Sequence, residues 1–128
     1  MPVNGIDHVN ILADDVEASA AFYAEVLGLV ATRPPGPPGD GRWLRDSAGQ
    51  AIIHLGAATA GYAAGRRVGE QTGALHHVAL ACTGFDETAA RLAALGIAHR
   101  AGGATGRGFR QIFLTDPSNV ALELNFPD

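Results

Sequence analysis

The sequence predicts an α+β protein built from two copies of a βαβββ module. Three observations carry that prediction. Ile6-Asp7-His8-Val9-Asn10-Ile11 is matched, 69 residues on, by Leu75-His76-His77-Val78-Ala79-Leu80. Gln50-Ala51-Ile52-Ile53-His54-Leu55 is matched at the same spacing by Asn119-Val120-Ala121-Leu122-Glu123-Leu124. Between these blocks, Leu27-Gly28-Leu29 and Leu95-Gly96-Ile97 repeat at 68 residues, so a one-residue gap opens and closes within each half. Two registers that agree at both ends mark a duplicated unit. Module one covers about 1–60, the join about 61–73 and module two about 74–128, within one domain.

Each module opens with an alternating strand, Ile6 to Ala13 or Leu75 to Cys82. A helix follows. Asp14, with Glu17 three residues on, predicts the first N-cap, and Thr83 with Asp86 repeats the pattern. Val16, Ala20, Tyr23 and Leu27 form one apolar stripe; Phe85, Ala89, Leu92 and Leu95 form the other. Gly28 and Gly96 stand where a left-handed residue would end each helix. Three shorter strands complete each module: Val30–Arg33, Arg42–Asp46 and Ala51–Gly56 in the first, Ile97–Arg100, Phe109–Thr115 and Val120–Phe126 in the second. Ser47-Ala48-Gly49 and Asp116-Pro117-Ser118-Asn119 supply the hairpin turns.

Two stretches break the pattern. Pro34 to Gly39 is a stiff loop, because proline suits neither a helix interior nor a central strand. Gly61 to Gly73 carries Arg66, Arg67 and Glu70 and reads as an exposed linker, with a lid or substrate loop as the sharper alternative. The Gly102-Gly103-Ala104-Thr105-Gly106 run lacks a strand-to-helix context and reads as a flexible loop, not a phosphate cradle.

Composition narrows the function. The chain has 128 residues, 47% hydrophobic and 17% charged, enough to bury a core. A net charge of -4 and nine thinly spread basic residues give no footprint for nucleic acid. No segment nears the roughly 20 apolar residues that span a bilayer, so no membrane partner is expected. The lone cysteine, Cys82, permits no internal disulfide and reads as a small core residue, and a cytoplasmic location is expected.

Four side chains stand out. Strand side chains alternate between two faces. Val9 and Ile11 suit a helix-covered face, which turns His8 and Asn10 to the other. Val78 and Leu80 do the same for His77, Ile53 and Leu55 for His54, and Leu122 and Leu124 for Glu123 and Asn125. Equivalent positions of both modules therefore present a metal-capable group on the uncovered face. A buried ionised Glu is costly without a cation or partner. A divalent transition metal held by His8, His54, His77 and Glu123 removes that cost. His76 is packed or exposed at its strand start, or supports a ligand from behind, and His99 is a surface residue.

These residues give the chain a family likeness. Asp7-His8-Val9, Phe22-Tyr23 with Val26-Leu27-Gly28-Leu29, His76-His77-Val78-Ala79-Leu80, Asp116-Pro117-Ser118-Asn119 and Leu122-Glu123-Leu124 resemble the vicinal oxygen chelate superfamily over nearly the whole length. That group includes glyoxalase I, methylmalonyl-CoA epimerase, fosfomycin-resistance transferases, extradiol dioxygenases and bleomycin-resistance proteins. The resemblance implies a sheet curled into a half-barrel, with helices outside and one metal within. It implies ligands at His8, His54, His77 and Glu123, a homodimer with two sites, and a small-molecule substrate. The cation would be Fe2+, Zn2+, Ni2+, Co2+ or Mn2+. One departure matters. Glyoxalase I-like enzymes carry Glu, and epimerase-like members often Gln, where this chain has His54.

Three functions follow. The first is a lyase or isomerase acting on two neighbouring oxygens, with the metal as Lewis acid and Glu123 as the catalytic proton carrier. The second is an iron(II) extradiol dioxygenase, since His8, His77 and Glu123 form a two-His-one-carboxylate set. The third is a non-catalytic drug-binding protein. If Thr115 pairs with Val120 across the turn, Ile112 lies opposite Glu123 and Arg110 opposite Asn125. Equivalent pairing puts Trp43 and Arg45 on the concave face. Arg110, Arg45, Trp43, Asn10 and Asn125 are then the expected substrate-binding residues.

Overall fold

The computed structural model describes residues 1–102 and 108–127. Most of the glycine run at 102–106 therefore lies outside the described residues. The chain divides into two units, Met1–Val68 and Gly69–Asp128. Each carries one helix and one four-stranded mixed sheet, the α+β arrangement that the repeat predicts.

Unit one runs β1 (Val9–Ala13), α1 (Val16–Leu27), β2 (Val30–Thr32), β3 (Arg42–Arg45) and β4 (Ala51–Ala57), with a 3₁₀ turn at Gly61–Ala63. Its strand order is β1-β4-β3-β2, with β1 parallel to β4 and the rest antiparallel. Unit two runs β5 (Val78–Ala81), α2 (Phe85–Ala94), β6 (Arg100–Gly102), β7 (Phe109–Thr115) and β8 (Ala121–Pro127). Its order, β5-β8-β7-β6, is the same topology. No helix among the described residues is long and apolar enough to cross a membrane.

Burial follows the alternation. In unit one Ile11, Leu44, Ile53 and Leu55 are buried under α1, which contributes Val16, Ala20, Tyr23 and Val26. In unit two Ile112, Leu114, Leu122, Leu124 and Phe126 form the core with Leu92 of α2. Full burial of each such side chain is worth roughly 1.5–3 kcal/mol. The second stripe is thinner than expected, since Leu95 stays exposed.

Both hairpins close on the same device. The Asp46 carboxylate accepts from the N–H groups of Ala48 and Gln50, at 2.9 Å each. That of Asp116 accepts from Ser118 and Val120 at 2.9 and 2.8 Å. Each loop ends on a left-handed residue, Gly49 (φ 81°) or Asn119 (φ 64°).

Several local expectations are corrected. Asp15, not Asp14, caps α1, accepting from the Ala18 N–H at 3.0 Å. Thr83 caps nothing; the N-cap of α2 is Gly84, in the left-handed region. Gly28 (φ 70°) and Gly96 (φ 67°) do end their helices as expected. The strand expected from Ile97 starts at Arg100, because the Ile97 N–H is still bonded to Leu92 O of the helix. β1 and β5 begin at Val9 and Val78, so His8 and His77 each stand one residue before a strand. The start of β4 is interrupted as well.

That interruption is a bulge. Arg45 pairs with Ala51 and Leu44 with Ile53, leaving Ile52 outside the ladder. Asp46 and His54 are thus one residue further apart than Asp116 and Glu123.

Candidate metal centre

Each sheet has one face packed on its helix and one face open. On the open face of unit one, register aligns Thr32, Trp43, His54 and Asn10 in a row across the four strands. In unit two the equivalent row is Arg100, Phe113, Glu123 and Ala79. His54 and Glu123 therefore hold matching places, as the repeat requires.

In unit one, His8 and His54 stack with ring centroids 3.7 Å apart and planes 14° apart. Trp43 covers the other face of His54 at 4.4 Å and 13°. His8 Nδ1 lies 2.6 Å from the Asp7 carboxylate. That acceptor holds the proton on Nδ1 and leaves the Nε2 lone pair for a cation. The same hydrogen bond, and then the His8 charge, holds the Asp7 carboxyl below its usual range. Burial, then the charge His8 takes on protonation, lowers the pKa of His54. His54 is therefore a neutral imidazole at neutral pH.

In unit two, His77 Nε2 and Glu123 Oε2 are 3.2 Å apart. The Glu123 side chain is only 15% exposed. Gln111 Nε2 donates to Glu123 Oε1 at 2.7 Å and to Asn125 Oδ1 at 2.8 Å. One carboxylate oxygen is thus anchored by a neutral amide while the other faces an imidazole. His76 Nδ1 sits 2.9 Å from His77 Nδ1, the place that Asp7 takes behind His8. A poorly solvated carboxylate opposite an imidazole nitrogen suits a divalent ion, which replaces the proton the two would otherwise share.

The structure thus brings the four expected ligands together as two pairs, one in each unit. Among the described residues no three His, Cys, Asp or Glu side chains gather into one metal-binding group. The pairs also differ. His77 and Glu123 converge. His8 and His54 are instead packed face to face.

The substrate-binding expectations fare unevenly. Trp43 and Asn10 are on the open face, flanking His54. Asn125 is there too, bound to Gln111. Arg45 reaches over Trp43 at 5.7 Å but spends its donors on Thr32 Oγ1 and Gly49 O. The pairing that pointed to Arg110 is corrected. Thr115 pairs with Ala121, so Phe113 lies opposite Glu123 and Gln111 opposite Asn125. Arg110 turns to the helix side, 3.0 Å from Asp86 and over the Phe85 ring. Ile112 is core. The open-face cation of unit two is instead Arg100, over Phe113 at 4.4 Å.

Sequence reasoning missed Gln111, Phe113 and Arg100 through that one-residue error. A signal was present: in a three-residue loop with Asn at its left-handed end, Asp116 pairs with Val120 as the last rung. Tyr62 was missed as well. It lines a cleft of about 340 Å³ in unit one, with Trp43, His54, Asn10, Pro34 and Asp40.

Comparison with known proteins agrees with this architecture. The model of the Glyoxalase/Bleomycin resistance protein/Dioxygenase superfamily matches residues 5–124. A glyoxylase/bleomycin resistance protein/dioxygenase domain from Frankia sp. EAN1pec superposes with a TM-score of 0.76 at 22% identity, covering 99% of this chain and 94% of that one. A mutant of the fosfomycin resistance protein FosX from Listeria monocytogenes, complexed with Mn(II) and dihydroxypropylphosphonic acid, gives 0.73 at 17% identity, covering 99% and 95%. At such identities the likeness is one of fold. A search of curated proteins gives no match.

Proposed function

The chain belongs to the Glyoxalase/Bleomycin resistance protein/Dioxygenase superfamily, and from that premise we propose that it is a metal-dependent lyase or isomerase acting on a small substrate through two neighbouring oxygens. The observation that carries this reading is the Glu123 carboxylate, 15% exposed, anchored on one oxygen by Gln111 and set against His77 on the other. His8, His77 and Glu123 would hold the cation, with His54 as a fourth donor if its ring turns out of the stack. The Mn(II) of the Listeria FosX complex supports a divalent ion of this kind. When bound, the ion supplies Lewis acidity to the two substrate oxygens.

The remaining chemistry falls to the chain's own groups. Glu123 is the proton carrier. Gln111 donates from an amide nitrogen that has no basic lone pair to take a proton, so it fixes Oε1 and leaves Oε2 to exchange. Asn10 and Asn125 offer neutral hydrogen bonds on their open faces. Asp7 and His76 keep the two histidine rings oriented from behind.

A second reading has one observation in its favour. His54 is engaged on both ring faces, by His8 and Trp43. Without it the donor set is two histidines and a carboxylate, the pattern of iron(II) oxygenases. Elemental analysis of purified protein, followed by oxygen uptake with catechols, separates the two. Manganese, zinc, nickel or cobalt without oxygen uptake supports the isomerase or lyase; iron with uptake supports the dioxygenase. Protein that holds no metal, with a melting temperature unmoved by manganese or zinc, sinks both.

A further inference from the structure

The two units differ where their open faces continue beyond His54 and Glu123. Two residues on, β8 carries Asn125 and β4 carries Gly56. Trp43 pairs with His54 as Phe113 pairs with Glu123, so Gly41 holds the place of Gln111. Unit two fills this space with a bonded pair of amides. Unit one leaves it as bare backbone, and the cleft opens there.

The bare backbone is closely approached. A Cβ on Gly56 would run into the Tyr62 hydroxyl, and one on Gly41 would press on Leu55 O at 3.1 Å. The linker thus brings Tyr62 back against β4, although the residue as a whole stays 65% exposed. A large, exposed aromatic held against a glycine beside a cavity is placed for contact with something flat.

The remaining lining fixes the ligand class. Trp43, Tyr62 and Pro34 give apolar or aromatic surface, and Asn10 and Thr59 give neutral hydrogen bonds. Asp40 is the sole ionised side chain in the lining, and it is an anion. Of the arginines next in sequence to the lining, Arg42 is committed to Glu17 and Gly41 O and Arg45 to Thr32 and Gly49 O, while Arg33, beside Pro34, is exposed and does not line the cleft. A phosphate, phosphonate or carboxylate would meet no cationic side chain in this lining. A volume of about 340 Å³ suits one or two fused rings.

We propose that this cleft is a recognition site for a flat, uncharged ring system, with Tyr62 and Trp43 as its specificity-determining residues. The ring is the non-reacting part of the substrate whose two oxygens meet the metal. That last step rests on the metal-dependent reading above, whereas ring binding does not.

Trp43 is the only tryptophan, so its indole N–H gives one resolved NMR signal that reports on the cleft. Metal-free protein is titrated with a vicinal dihydroxynaphthalene, with a naphthol lacking the second oxygen, and with dihydroxypropylphosphonic acid. The two ring compounds should move the Trp43 signal with similar affinity, and the phosphonate should not. Tyr62→Ala, at an exposed position, should weaken ring binding by about tenfold, and Tyr62→Phe should restore it. Equal binding of the phosphonate, or unchanged ring binding in Tyr62→Ala, overturns the proposal. The titration is then repeated with zinc bound. Tighter binding of the diol, but not of the naphthol, supports the link to the metal. Ring binding with no such preference keeps the cleft and removes the metal reading. A diol that binds only with zinc, and equally in Tyr62→Ala, does the reverse.

Discussion

Unit one and unit two share a topology, a turn device and, beyond the bulge at Ile52, a pairing register, yet their open faces are used differently. In unit two the two positions beyond the metal-capable pair carry hydrogen-bonding side chains: Gln111, Asn125 and Glu123 form one connected set. In unit one the matching positions are glycines, and His54 is held by ring stacking on Trp43 and His8. One copy holds a charge still; the other makes room. The difference shows how a duplicated half can take on different side-chain work while keeping its topology.

The sharpest way to break this contrast is to remove the charge. Glu123→Ala should lower affinity for manganese or zinc by more than the roughly 10–100-fold that loss of a supporting partner costs. Calorimetric titration measures it, and an unchanged affinity would remove unit two from the centre. The shared part of the two units is tested by Leu55→Ala and Leu124→Ala, both at buried positions on the helix side. Each should cost about 2–5 kcal/mol in urea unfolding. A cost in one unit only would mean that the two cores are not equivalents.

Smaller effects separate the roles. Gln111→Leu should weaken metal binding by about tenfold, since the anchor on Oε1 is lost while the ligand stays. His54→Ala discriminates between the two proposed centres: unchanged metal content reduces the set to three donors and favours the oxygenase pattern. The smallest effect is one of pH. The pKa of His54 is lowered from 6.5 by burial, so below pH 6.5 the unfolded chain takes up a proton that the folded chain resists. Metal-free protein should therefore lose some stability as pH falls from 6.5 toward the folded value. His54→Gln should flatten that part of the profile, and an identical pH dependence in the variant would count against it.

The fold was legible because strand periodicity and turn residues are local properties. Val9/Ile11 against His8/Asn10 already assigns the faces, and the same alternation in the second half assigns them again. Register was not local. Whether Asp116 belongs to the turn or to the ladder decides whether Arg110 or Gln111 stands opposite Asn125, and one residue moved the expected substrate-binding arginine to the wrong side of the sheet. Helix caps failed for a similar reason: Asp14 and Asp15 look alike in sequence, and only the Ala18 N–H chooses between them. The cleft was least legible of all. It depends on two glycines that periodicity ignores and on a tyrosine in what reads as a linker.

The bulge at Ile52 has a consequence for how the two halves drift apart. Because side chains alternate, one additional residue in β4 would turn everything after it inside out and bury His54 among the leucines. Expelling Ile52 from the ladder beside the turn absorbs the change within one rung. A gene segment can thus gain a single codon, lengthen one copy, and still deliver the same imidazole to the same side.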